Sequence, residues 1–185
     1  QERAAAASEA KSAEFLGAML SDVFRIALWG APPEKQDELF GSLKDRLRFL
    51  QDNNELTPVI EFRIRTAIAE CYLQAHSYEM TRDQRKAAFD AAQLAYGPES
   101  KPAIWALLRY GGALEQAGDT NGADAVYRDA LERSSLEFGS ESPEAAHSIA
   151  GQAMVARTNK DFLSAELLTL EQIRILKTDP KPDPI

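Results

Sequence analysis

The sequence predicts an all-α chain folded as a solenoid of helical hairpins, and three observations carry that prediction. Apolar residues recur at helical spacing, as at Ala123, Val126, Tyr127, Ala130 and Leu131, which share one face of a helix. The pattern then returns at a fixed interval. A shift of 42 residues lays Tyr96-Gly97 on Phe138-Gly139, Glu99-Ser100 on Glu141-Ser142, Ala103 on Ala145, Asp119 on Asp161 and Ala123 on Ala165. No stretch alternates apolar and polar residues in the manner of a strand. Such a period means that each hairpin carries an apolar face it cannot bury alone and must stack on its neighbour.

The elements follow in order. Residues 2–14 are rich in alanine and charge, and from Phe15 a stripe of Phe15, Leu16, Met19, Leu20, Val23, Phe24 and Ala27 marks a first helix. It ends near Trp29-Gly30, because Pro32-Pro33 forbid its continuation. A second helix over about 34–51 carries Leu39, Phe40, Leu43, Leu47 and Leu50 on one face, until Asp52-Asn53-Asn54 breaks it. Thr57-Pro58 opens a third with an N-cap followed by proline, running to about Ala75. A fourth, over about 82–95, is expected after a loop with Ser77 and Thr81 at its tip.

The central hairpin pairs a helix carrying Ile104, Leu107, Leu108, Gly111 and Leu114 with the Ala123–Leu131 helix. Gly118 suits a left-handed C-cap and Asp119 the next N-cap. Gly111 is expected to face Ala123 and Ala130, with Leu107 and Tyr127 on either side. Ser142-Pro143-Glu144 starts a seventh helix, and an eighth runs from Asp161 to about Lys177. Three prolines in residues 178–185 predict an extended, mobile tail.

Leu107, Gly111, Leu114, Gly118-Asp119, Ala123, Tyr127 and Ala130 resemble the tetratricopeptide repeat at its large, small and turn positions. The usual repeat is about 34 residues; the longer period here is similar to that of kinesin light chains. A following copy runs through Ile149, Ala153, Ala156, Asp161, Ala165 and Ile173, departing at Lys160, Thr169 and Gln172. A preceding copy has Ala69, Tyr72, Ala88 and Phe89, but Arg65, Thr81 and Arg85 where apolar or small residues are expected. The resemblance implies a right-handed superhelix with residues 58–178 as three repeats, residues 1–57 as an N-terminal stalk and capping hairpin, and 179–185 as a flexible tail.

The lead-in through Lys11, Ala13, Glu14, Phe15, Leu16, Asp22, Val23 and Phe24 resembles the region after the transmembrane helix of bacterial serine/threonine protein kinases. Membrane-anchored winged-helix regulators have similar lead-ins. This resemblance implies the sensor or interaction domain of a membrane-anchored kinase, on the extracytoplasmic side, with a cytoplasmic location as the alternative. A chain that starts with Gln is read as a fragment. No kinase motif falls within it: there is no glycine-rich phosphate loop, VAIK-type lysine, HRD or DFG.

Bulk properties exclude some functions. A net charge of −8 argues against a nucleic-acid or anionic-membrane surface. No apolar run approaches the roughly 20 residues that span a bilayer. The single cysteine, Cys71, permits no internal disulfide and is expected as a buried thiol. His76 and His147 lack companions at metal spacing, and His76 reads as a solvated helix end. Asp119-Thr120-Asn121-Gly122 starts like a calcium loop, but Ala123 and Ala130 occupy later ligand places. No catalytic, cofactor-binding or metal-binding residue is therefore assigned, and enzyme or small-molecule sensor ranks third among the functions.

In tetratricopeptide arrays the first helix of each repeat lines the concave side. Carried over by the 42-residue spacing, that implies a groove of Arg63, Thr66, Glu70 and Gln74, then Trp105, Leu108, Gly112 and Glu115, then His147, Ala150, Met154 and Arg157. An apolar centre on Trp105, Leu108 and Met154 with a charged rim suits a protein or peptide ligand. The first helix could instead occupy the groove or form a homodimer, which favours a free-standing adaptor or assembly scaffold. The carboxylate clamp of chaperone-tail-binding relatives does not fit, because Thr66, Glu70, Arg109, His147 and Gly151 stand at its places and Glu70 would repel the ligand.

Overall fold

The computed structural model describes residues 32–178. The first expected helix, with its stripe from Phe15 to Ala27, and the tail after Thr178 lie outside these residues, as do the side chains of Leu39 and Phe40. Seven α-helices and no strand occur among the described residues: α1 Pro33–Asp52, α2 Pro58–Gln74, α3 Tyr78–Tyr96, α4 Lys101–Gln116, α5 Thr120–Phe138, α6 Pro143–Thr158 and α7 Phe162–Thr178.

The period is visible in the backbone as a repeated turn. At each hairpin, between α2 and α3, α4 and α5, and α6 and α7, one residue takes a left-handed conformation: His76 (φ 56°), Gly118 (φ 85°) and Lys160 (φ 64°). The hydrogen bonds match as well. The amides of Ser77, Asp119 and Asp161 donate to the carbonyls of Tyr72, Leu114 and Ala156, each at 2.9 Å. Those of His76, Gly118 and Lys160 donate to Leu73, Glu115 and Arg157 at 3.0, 2.9 and 3.0 Å. This is the Schellman arrangement, which satisfies carbonyls that the helix end would otherwise orphan. Helix starts repeat too: Thr57, Ser100 and Ser142 accept from the amides of Ile60, Ala103 and Ala145, each cap followed by proline in the first turn.

One expectation about this turn is corrected. Thr81 is not at a loop tip but in the first turn of α3, buried, with its hydroxyl donating to the Ser77 carbonyl at 3.0 Å. Because His76 adopts the left-handed conformation without being glycine, the turn closes early and α3 starts at Tyr78.

The chain forms two compact units, divided within α3 between Ala91 and Ala92. In the first, Leu43, Leu47 and Leu50 of α1 pack on Ile60, Ile64, Ala67, Ile68 and Tyr72 of α2, with Leu56 and Cys71 at the margin. Charged side chains bridge α2 and α3. Arg85, only 4 % exposed, pairs with Glu70 at 2.5 Å, and Arg65 bridges Glu61 and Gln84. So the residues that depart from the repeat pattern, Arg65 and Arg85, bring their own partners.

In the second unit α4 packs on α5, α5 on α6, and α6 on α7, while α4 also touches α6 directly. Buried Ala103, Ile104, Leu107, Ala113 and Leu114 of α4 and Ala123, Tyr127 and Ala130 of α5 form its centre. Ala146, Ile149 and Ile175 then join α6 to α7, with Leu131 and Leu168 against them. Arg174 clamps α7 to the α5–α6 turn by a bidentate contact with Glu141 at 2.9 and 2.7 Å.

The left-handed turns give opposite predictions for two substitutions. Lys160→Gly removes a Cβ from a conformation that disfavours it and should stabilise the fold by up to about 1 kcal/mol, whereas Gly118→Ala should cost about 1 kcal/mol. Urea unfolding followed by circular dichroism reads both, and equal signs would contradict the shared turn geometry.

Candidate functional site

Helix geometry sets which side chains share a face. On α4, Trp105, Leu108, Gly112 and Glu115 fall within one stripe, and on α6 His147, Ala150, Met154 and Arg157 do the same one period later. The stripes meet. The rings of Trp105 and His147, at equivalent places on neighbouring first helices, pack edge to face with centroids 4.7 Å apart and planes at 62°. At the other end, the Thr158 hydroxyl donates to Glu115 at 3.3 Å.

The His147 ring has a defined hydrogen. Its Nδ1 lies 2.6 Å from the Pro143 carbonyl, which can only accept, so Nδ1 carries a hydrogen. Trp105, Gly112, Glu115, His147 and Ala150 are half-buried, Arg157 is exposed, and Met154 is 42 % exposed despite being apolar. Leu108 is buried, so it does not offer open surface on this stripe.

This face depends on one residue behind it. The Tyr127 ring of α5 lies directly over Gly111 of α4 and Gly151 of α6. A Cβ on Gly111 would sit 2.8 Å from Tyr127 Cε1, and one on Gly151 would overlap the ring carbons. Gly112 differs, because a Cβ there would meet only the Tyr127 hydroxyl, at 3.6 Å. Tyr127 therefore covers Gly111 rather than standing beside it, and the glycine pair allows α4 and α6 to approach with the ring wedged between them. Burial, with Glu115 nearby, pushes the Tyr127 hydroxyl up to about 12.

In the first unit Arg63 and Gln74 are exposed on α2, while Thr66 and Glu70 are half-buried. Glu70 is held by Arg85, so this stripe has a structural ion pair where α4 has the bare backbone of Gly112, one period on. Cys71, beside Glu70, is half-buried, and burial first and Glu70 second push its thiol up to about 11.

Asp119 is a cap. Its carboxylate accepts from the Gly122 amide at 2.9 Å, and any side chain at Gly122 would collide with it. Among the described residues no group of three His, Cys, Asp or Glu side chains is arranged to hold a metal. None of the described helices is long and apolar enough to cross a membrane. Two features escape a reading of the sequence. One is the Gly151 hole, whose only signal is a second glycine one helix on. The other is the ion pair at 2.9 Å between Lys101 and the nearly buried Glu144, which joins the starts of α4 and α6.

Solved structures share the fold of this chain. BtubC (BKLC) from P. vanneervenii superposes with a TM-score of 0.67 at 18% identity, over 92% of this chain and 67% of its own. A Podosopora anserina protein of the kinesin light chain kind, with nearly identical TPR-like repeats, gives 0.59 at 16% identity, over 94% of this chain and 91% of its own. A single-residue variant of that protein gives 0.61 at 14%, with the same coverage of both chains. The fold is a TPR-like α-solenoid. No protein-family model matches the sequence, and no curated protein does.

The three glycines of the wedge separate by sign. Gly151→Ala should destabilise most, by about 1–3 kcal/mol, and Gly111→Ala less, while Gly112→Ala should be neutral or stabilising because alanine favours a helix. Thermal unfolding of the three variants ranks them. Cys71 should react with iodoacetamide roughly a hundredfold more slowly at pH 8 in the folded chain than in urea, because its thiolate is scarcer by the two-unit rise. Equal rates would place the thiol in water.

Proposed function

We propose that the chain is a non-catalytic module for recognising a protein or peptide, and that the α4–α6 face is the main contact surface. The observation that supports this most is the Trp105–His147 ring pair with exposed Met154 on the same helix stripe. Trp and Met provide contact area at low ordering cost, and a Trp held at its edge by a second ring is ready to bind. Glu115 and Arg157 add opposite charges toward one end, so an amphipathic helix or extended peptide with an apolar anchor matches the surface. Arg63, Thr66, Glu70 and Gln74 are proposed separately as a contact stripe of the first unit, with Glu70 restrained by Arg85.

The wider setting we infer is the sensor or interaction domain of a membrane-anchored bacterial serine/threonine kinase. Its support is the lead-in through Lys11 to Phe24, which lies outside the described residues. The alternative is a free-standing adaptor or homodimeric scaffold. Kinase motifs and a hydrophobic span encoded upstream would favour the first, and a start codon directly before this stretch the second.

The contact surface is tested with displayed peptides selected on the wild-type protein. Trp105→Ala should keep its helical signal and melting temperature within a few degrees, yet bind the selected peptides at least tenfold more weakly. Peptides that bind both proteins equally would remove this face from the proposal. Unfolding of the variant would make Trp105 a core residue.

A further inference from the structure

Resting on the α4–α6 face as the contact surface, we propose that the Tyr127 hydroxyl reaches that face at Gly112 and donates a hydrogen bond to an amide carbonyl of the bound peptide. Tyr127 is only 5 % exposed, and its hydroxyl has no hydrogen-bond partner among the described residues. The oxygen is not enclosed, and so it opens to the surface. It does so beside Gly112, where a Cβ would lie 3.6 Å from it and meet no other side chain. Along α4 this point falls between the Trp105–His147 ring pair and the Thr158–Glu115 hydrogen bond.

The first unit shows what such a group requires. Arg85 and Glu70 stand one period before Tyr127 and Gly112, and there the Glu70 carboxylate accepts from the buried guanidinium. In the second unit the buried group is again a donor, but glycine stands where the acceptor side chain would begin. The acceptor is left to the ligand, and its chemistry is set by the surroundings. Burial, and then the charge of Glu115, push the phenol up to about 12, so it stays protonated at neutral pH and can donate. The same charge repels a ligand carboxylate and favours an uncharged carbonyl. Glu115 supplies the other half of the match. Its Oε1 accepts from Thr158, while its second oxygen has no partner among the described residues and can accept an amide N–H. Hydroxyl and carboxylate together suit an amide group, taken from the peptide backbone or from an Asn or Gln side chain.

Tyr127→Phe removes the hydroxyl and keeps the ring that separates α4 from α6. Its melting temperature should equal or exceed that of the wild type, because no internal hydrogen bond is lost. Displayed peptides selected on the wild-type protein should bind it about threefold to tenfold more weakly, the loss of one hydrogen bond. In synthetic copies of those peptides, one alteration should weaken wild-type binding by a similar factor and Tyr127→Phe binding far less. If that alteration changes Asn or Gln to Leu, the amide is a side chain; if it changes a backbone amide to an ester, the amide is main chain. Equal binding to wild type and Tyr127→Phe overturns the proposal, and the α4–α6 face still stands if Trp105→Ala binds more weakly. A lower melting temperature for Tyr127→Phe makes the hydroxyl structural and overturns it too. So does a requirement for a carboxylate in the selected peptides, and a library that yields no binder overturns this proposal and the face together.

Discussion

The second unit depends on the fit of one phenol ring between two backbones. Tyr127 fills the space that Gly111 and Gly151 leave empty, and in doing so it sets how closely α4 and α6 approach. Their approach is what brings the Trp105 and His147 rings together on the opposite surface. Packing behind the face thus determines geometry on it, since close-packed side chains transmit a displacement rather than absorb it. The raised ionisation of Tyr127 has the same origin, because a ring enclosed on both sides has little water to support its charged form.

The first unit solves the same problem with other chemistry. Arg85 stands one period before Tyr127, and Glu70 one period before Gly112. A guanidinium buried between helices needs a counter-charge, and Glu70 supplies it at the place where the later hairpin needs nothing at all. Two hairpins with the same turns thus present different surfaces, one charged and tied, the other apolar and open. The asymmetry bears directly on ligand choice, because a side chain engaged in a buried pair is not at liberty to meet a partner.

Much of this is legible in the residues. The helix starts at Thr57, Ser100 and Ser142 follow from cap-and-proline chemistry, and the turn at Gly118-Asp119 from the one sequence that signals it openly. His76 and Lys160 take the same left-handed turn without a glycine, so no turn residue marks it and the residues alone misplace the start of α3. The stripe positions on α4 and α6 come from spacing alone. Spacing cannot say how deeply each sinks, and so Leu108 reads as surface until its burial is known. Gly151 is invisible for a related reason. A glycine within a helix carries no label for the ring that needs its absence of a side chain.

The Tyr127 fit also settles the order in which the hairpins must be threaded. Their turns are alike enough that one could be copied in tandem without disturbing a backbone hydrogen bond. A duplicated α4–α5 hairpin, however, would bring the Tyr127 of the first copy against Arg109 of the second, the residue one period before Gly151. Uniform joints would permit any sequence of units, but unequal seams admit one. This particular hairpin cannot simply be copied in tandem, and a second one would have to be recut where it meets its predecessor.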